Sequence, residues 1–208
     1  AGKLGLVNGA DAPQTFDGTT LAAMTVSGTG LTAAHLIGIL GYRTRTYFWE
    51  KATGTNPSAF WYSAVNTMGG TLTKFDLAPE VGGGGFIRAM GMWSRGEADS
   101  LDSYLAIFMS SGRVILYYGS NPGDAGAWTW AGTYDADVPL SERGIVRHGG
   151  EIIIMTRGGY LPLSGIIAGT GASAAISDKI KREVRDVGEA YADNFGWHKA
   201  LFHIIFGK

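Results

Sequence analysis

Cysteine is absent from all 208 residues, so neither a disulfide framework nor thiolate chemistry can operate. Charge is scarce as well. Charged side chains make up 17% and the formal net charge is −1, which leaves no global field to draw the chain to nucleic acid or to a membrane surface. No apolar run approaches the roughly 18–20 residues of a membrane helix. The N-terminus lacks the charged-then-apolar layout of a secretory leader. A soluble chain, or part of a soluble assembly, is therefore expected. Common catalytic signatures are missing too. No serine lies in a Gly-x-Ser-x-Gly turn, and no Lys-Ser/Thr follows Gly82–Gly85 to make a phosphate cradle.

What the chain has in quantity is glycine, at 33 residues, together with 45% hydrophobic and 12% aromatic side chains. The glycines fall as pairs and single turn positions with no collagen period, which predicts many tight turns around a packed core. The clearest stretch runs from Tyr104 to Pro162. It reads as strands at 104–109 and 113–118, then 127–131 with 132–134, then 144–147, 151–156 and 160–162. Turns at Ser110–Gly112, His148–Gly150 and Arg157–Gly159 separate them. Short β-branched and aromatic runs between glycine turns predict antiparallel hairpins.

Upstream, 3–7 and 21–26 read as short strands, with turn chemistry at Asn8–Pro13 and Phe16–Gly18. Residues 35–65 give strand 35–40, a turn at Gly41–Thr44, strand 45–49, a polar loop at 51–58 and strand 59–63 bearing Trp61. The same order recurs at 104–134, with Trp128 and Trp130 on the third strand. A degenerate repeat of roughly 40–50 residues, the length of a four-stranded propeller blade, follows. Segment 66–85 is glycine-rich and reads as a long connection with little intrinsic order, and 86–93 as a strand. The period changes at 173–195. Ile176, Ile180, Val184, Val187 and Tyr191 fall on one face of a helix that Ser173 or Ser177 can cap and Gly196 can end. The expected fold is mainly antiparallel β, with partial β-propeller-like blades over 1–172, one C-terminal amphipathic helix over 173–195, and the terminal strand of an incomplete blade at 196–208.

Candidate chemistry is thin. Glu97, Asp99 and Asp102 share a short loop and could offer oxygen ligands to a hard cation, although the spacing lacks the full calcium-loop pattern. A solvated loop tip is the competing reading. His198 and His203 have no nearby third ligand for zinc, and His35 and His148 sit beside turns. Lys179, Lys181, Arg182 and Arg185 lie largely on the polar side of the expected helix, as a charged solvent face does. The six tryptophans (Trp49, Trp61, Trp93, Trp128, Trp130, Trp197) could stack on sugars, but their place within apolar strands favours core packing. A carboxylate pair for glycoside chemistry would meet only in three dimensions. No cofactor is expected.

Several segments resemble a family of tailed-phage structural proteins, akin to tail nozzle or tail tubular proteins and packaged-DNA stabilisation proteins. These are Leu6–Gly9 with Phe16–Gly18, Arg45–Phe48, Phe60–Tyr62, Gly69-Gly70 with Phe75–Leu77, Gly91–Trp93, Ile107–Met109 with Gly112–Val114, and Tyr117–Pro122 with Trp128. The most specific part is Gly149–Met155 running into Leu161–Ser164, followed by Ala175–Lys179 and Gly196-Trp197. Leu201–Lys208 departs from the pattern. The resemblance implies a partial chain of a propeller-like nozzle domain without an active site. It also implies a homo-oligomeric ring, contacts with other tail or portal-proximal proteins, and DNA passing without sequence-specific contacts. Assembly in the host cytoplasm and residence in the virion follow. The alternative is a carbohydrate-binding or glycoside-cleaving β-propeller. Exposure of Trp128 and Trp130 beside Asp124, Asp135 or Asp137 would favour it, whereas burial of those tryptophans between sheets would favour the structural role.

Overall fold

A computed structural model describes residues 2–81, 85–94, 103–170, 175–180 and 182–186. The chain is mainly β, in several antiparallel sheets with few helices. It divides into two units, Ala1–Met90 with Gly119–Thr129, and Gly91–Tyr118 with Trp130–Lys208.

The first unit begins with a three-stranded antiparallel sheet of β1 (Leu4–Leu6), β2 (Gln14–Phe16) and β3 (Leu21–Ala23). Side-chain oxygens shape its turns. Asn8 Oδ1 accepts the N–H groups of Ala10 and Asp11, and Asp17 Oδ1 accepts those of Thr19 and Thr20. These are the local bonds that make Asn and Asp turn residues. The two Thr N–H bonds also hold the Asp17 carboxyl below its ordinary value. β4 (Val26–Ser27) then pairs in parallel with β8 (Gly70–Thr71).

A four-stranded sheet forms the body of this unit, in the order β5 (Leu36–Tyr42), β6 (Arg45–Glu50), β7 (Ala59–Tyr62) and β9 (Thr73–Asp76). Tyr42 pairs with Arg45, so the β5–β6 turn is Arg43-Thr44, with Arg43 at φ 52°. The turn expected at Gly41–Thr44 therefore starts two residues later, because Gly41 is held in the ladder opposite Thr46. β6 is buried from Tyr47 onward and all of β7 is buried, as for a strand covered on both faces. Phe48 and Trp61 lie opposite each other and pack with Met24, Leu36 and Leu72. The other face carries an aromatic cluster of Tyr42, Tyr47, Phe60, Phe75 and Trp128. Tyr47 stacks on Trp128 at 6.2 Å and Phe60 on Phe75 at 4.9 Å. Each ring removed from water contributes roughly 1.5–3 kcal/mol. Trp49 packs over Gly38, where a Cβ would lie inside the indole ring. A register shift between Leu36 and Gly38 accompanies that approach.

Residues 66–85, expected as a loosely ordered connection, instead supply β8, β9 and the short helix α1 (Ala78–Val81). Charged neighbours Lys74 and Asp76 mask the strand in sequence. Its pairing with β7, which sets Phe75 opposite Phe60, holds it in place.

The second unit takes most of a sheet ordered β10 (Ile87–Ser94), β11 (Ser103–Met109), β12 (Arg113–Gly119) and β13 (Trp128–Asp135). Gly112 closes the β11–β12 turn at φ 86°, where the Ala136 carbonyl leaves no room for a Cβ. Here the sequence repeat is out of phase by one strand. The strand joining the β5–β6–β7 run follows it in the chain, whereas the strand joining β11–β12–β13 precedes it. Segment 66–93 holds both extra strands, β9 and β10, which accounts for the wide spacing of the two hairpins.

A three-stranded sheet of β14 (Ile145–His148), β15 (Glu151–Thr156) and β16 (Gly159–Pro162) follows. Its turns are Gly149-Gly150 and Arg157-Gly158, one residue shorter than expected, because His148 pairs with Glu151 and Gly159 with Thr156. Helix α2 (Leu163–Ile167) starts directly after Pro162. Leu140, Ile153, Met155, Tyr160 and Val184 form the core cluster here. The helix expected over 173–195 is described only in part. Asp178–Ile180 is a 3₁₀ turn and 182–186 is helical. Of its expected apolar face, Val184 is buried, but Ile176 and Ile180 are 56% and 50% exposed. Before the 3₁₀ turn the chain docks on β16 instead. The Ile176 N–H donates to the Tyr160 carbonyl, and Ser177 Oγ accepts the Tyr160 N–H rather than capping a helix. Ser173, Val187, Tyr191, Gly196 and segment 196–208 lie outside the described residues.

Candidate functional site

The tryptophans divide sharply. Trp49, Trp61, Trp93 and Trp128 are buried, and Trp130 is 57% exposed. Trp128 sits among the aromatic rings of the first unit. Trp130 gives its indole N–H to Thr133 Oγ1 at 3.1 Å. Asp135, at the far end of the same strand, is 95% exposed and faces Arg113 at 3.9 Å. One half of the sugar-platform arrangement is thus present and the other is not. Glu97, Asp99 and Asp102, with Gly82–Gly84, Lys181, Trp197, His198 and His203, lie outside the described residues. Among the described residues, no group of three or more His, Asp or Glu side chains is placed to hold a metal ion. Nor is any helix there long and apolar enough to cross a membrane.

Two polar anchors hold the first unit, and local sequence patterns reveal neither. Glu50 is fully buried at the end of β6. Its Oε2 accepts the Asn56 N–H at 3.0 Å and its Oε1 the Trp61 indole N–H at 3.3 Å. A buried carboxylate demands such donors, and here they fold the polar loop 51–58 back over the strand. Arg45, at the start of β6, donates to the carbonyls of Ser63 at 2.7 Å and Ser120 at 3.0 Å and to Asn121 Oδ1 at 3.1 Å, while its guanidinium lies over the Tyr62 ring. It ties the loop after β12 to the first sheet. Two tyrosines have phenols that burial pushes above their ordinary value, Tyr47, where Tyr42 adds to the effect, and Tyr160.

A cleft of about 470 Å³ opens in the second unit, lined by Trp93, Ser94, His148, Gly150, Glu151, Ser164, Ile167 and Ala168. That volume is within the range of small-ligand sites. Its floor is set by one carboxylate oxygen. Glu151 Oε1 accepts the Trp93 indole N–H at 3.0 Å, the Ile152 N–H at 3.0 Å and the Ser164 N–H at 3.3 Å. Strands β10 and β15 are held in place by the Ser94 N–H donating to the Gly150 carbonyl at 2.9 Å. The Trp93 ring is 5% exposed and tilts against Tyr104 at 5.6 Å, so little of its face is open to a stacking ligand. Among the described residues, Glu151 is the only carboxylate lining this cleft, whereas glycoside cleavage requires two flanking the scissile bond. The sequence places His148 beside a turn, and Glu151 and Ser164 within segments that resemble the phage family, without marking any of them as a site residue. The Trp93–Glu151 bond spans 58 residues and leaves no local signal.

A second surface feature belongs to the first unit. Ladder pairing puts Leu4 opposite Phe16 and Phe16 opposite Leu21, with Leu6 two residues from Leu4 on the same face. All four are exposed, at 57%, 36%, 56% and 41% in that order. On the opposite face Gly5 meets Ile39, Met24 and Met68. The small sheet is therefore seated on one side and presents an apolar row on the other.

No family model, curated protein or solved structure matches this chain.

Proposed function

We propose that this chain is a non-enzymatic virion structural protein of a tailed phage. It would be part of the tail nozzle or head-to-tail connecting assembly that forms a channel for the genome. The resemblance of the segments from Leu6–Gly9 to Gly196-Trp197 supplies the family. The observation that carries an assembly role is the apolar row Leu4, Leu6, Phe16 and Leu21 on one face of a three-stranded sheet. Contiguous apolar surface of this kind marks contact sites in soluble proteins. The occupant proposed is a second copy of the chain in a homo-oligomeric ring. Two successive four-stranded sheets, 36–76 and 87–135, with their strands side by side in chain order, fit propeller blades in length and strand order, and four buried tryptophans fit a packed structural core. Other tail or portal-proximal proteins would flank the ring. DNA would pass through it without base-specific contacts.

Negative-stain electron microscopy of the purified chain, with class averages, tests this directly. Rings with a central hole are expected. The double variant Phe16→Ser, Leu21→Thr should fall apart into smaller species at equal concentration. Uniform monomers for the wild-type chain would remove the support for the ring.

Carbohydrate binding is the second reading, favoured by the exposed ring of Trp130. A glycan screen decides it, because Trp130→Ala should then abolish binding while leaving the fold intact.

A further inference from the structure

We infer that the cleft beside β15 is a binding site for a primary ammonium group. The inference is independent of the ring assembly and of the virion role. It rests on the way Glu151 is held. One oxygen, Oε1, is saturated by three N–H donors from β10, β15 and the start of α2. The carboxylate therefore cannot swing, and Oε2 makes no hydrogen bond or ion pair among the described residues. Two further groups line the same cleft without a side-chain partner among those residues, the His148 imidazole and the Ser164 hydroxyl. Among the described residues, no lysine or arginine lines it.

Three groups able to accept a hydrogen bond around a cleft that contains a formal negative charge suit a donor with three N–H bonds and one positive charge. A primary ammonium has that inventory, three donors and no acceptor. A guanidinium would use its planar fork best against both oxygens of a carboxylate, and here Oε1 is already taken. A sugar ring would want an open aromatic face, and Trp93 is only 5% exposed. Ile167 and Ala168 supply an apolar side for the carbon chain that carries the ammonium. Such a group could arrive on a free small amine or on a lysine side chain of a partner protein.

The test is an NMR titration of the full chain, read at the Trp93 indole N–H, which reports directly on Glu151. The probes are butylammonium, neutral butan-1-ol and a blocked lysine tripeptide. Butylammonium is expected to move that resonance with a dissociation constant on the order of millimolar, and butan-1-ol to bind about tenfold more weakly or not at all. Glu151→Gln keeps an acceptor at the Oε1 position and replaces Oε2 with a donor, so binding should drop about tenfold or more. Ser164→Ala removes only a hydroxyl from an exposed position, and a drop of about threefold to tenfold is expected even where the Gln variant fails to fold. A lysine tripeptide that binds more tightly than butylammonium identifies a protein side chain as the natural occupant. The reverse order identifies a free amine. Equal binding of amine and alcohol, unchanged binding in both variants, or no movement of the Trp93 resonance at the highest soluble amine would each overturn the assignment.

Discussion

Tyr47→Phe should make the protein more stable. The Tyr47 ring is fully buried, and its hydroxyl has no hydrogen-bond partner among the described residues. A buried hydroxyl without a partner costs about 1–3 kcal/mol by protein mutational measures. The ring contacts with Trp128 at 6.2 Å, Tyr42 at 5.8 Å and Phe60 at 5.6 Å use the aromatic face and edge, which phenylalanine keeps. A gain of about 1–3 kcal/mol at pH 8 is therefore expected in urea unfolding followed by tryptophan fluorescence. A second signature comes from linkage. Burial, with a smaller contribution from Tyr42, pushes the phenol above its ordinary value of 10.0. The folded state then keeps its proton where the unfolded state loses one. The contribution is fully present below pH 10 and is lost as pH rises toward the folded value. The unfolded state binds fewer protons in that window, so wild-type stability falls there. The phenylalanine variant lacks this dependence. Its advantage should widen by about 1.4 kcal/mol between pH 9 and pH 11. A variant less stable than wild type by about 1 kcal/mol would refute the reasoning by requiring a partner for the hydroxyl, and an advantage that stays flat across that window would refute it by showing a phenol that ionises as easily folded as unfolded.

Three further outcomes follow from the same geometry. Gly38→Ala should lose about 1–3 kcal/mol or more, since its Cβ would enter the Trp49 ring. Gly41→Ala, whose Cβ meets nothing within 4 Å, should be close to neutral in the same urea titration. Glu50→Ala should cost about 2–4 kcal/mol by stranding the Trp61 indole and the Asn56 N–H without an acceptor, and Glu50→Gln should recover part of it. Arg45→Ala should cost about 2 kcal/mol and speed amide exchange in 119–129, the segment its guanidinium ties down. Arg45→Lys should restore little, because one ammonium cannot reach three acceptors in the same fork.

The candidate cleft was almost invisible in the sequence. The sequence predicts a strand at Trp93 and puts His148 and Glu151 beside a glycine turn, but nothing local ties residue 93 to residue 151. The contact exists because β10 and β15 meet through the Ser94–Gly150 hydrogen bond. Trp128 and Trp130 show the same limit. They are two residues apart on one strand, and an alternation argument assigns them to one environment. Four aromatic rings enclose the first, and the second projects into solvent.

The hairpins between Tyr104 and Pro162 were determined by the sequence alone. Their turns are made by glycine and short polar residues acting over three or four positions, and their strands by β-branched and aromatic side chains whose preference is local. The tertiary structure alone decided three other things. It recruited β9 and β10 to complete the two four-stranded sheets. It drew 175–177 onto β16, where an isolated reading of the period predicts helix. It also gave Glu50, Arg45 and Glu151 their partners. In each case the deciding bond joins residues distant in the chain or overrides a weak local preference, and the burial that fixes it arises only when the sheets pack.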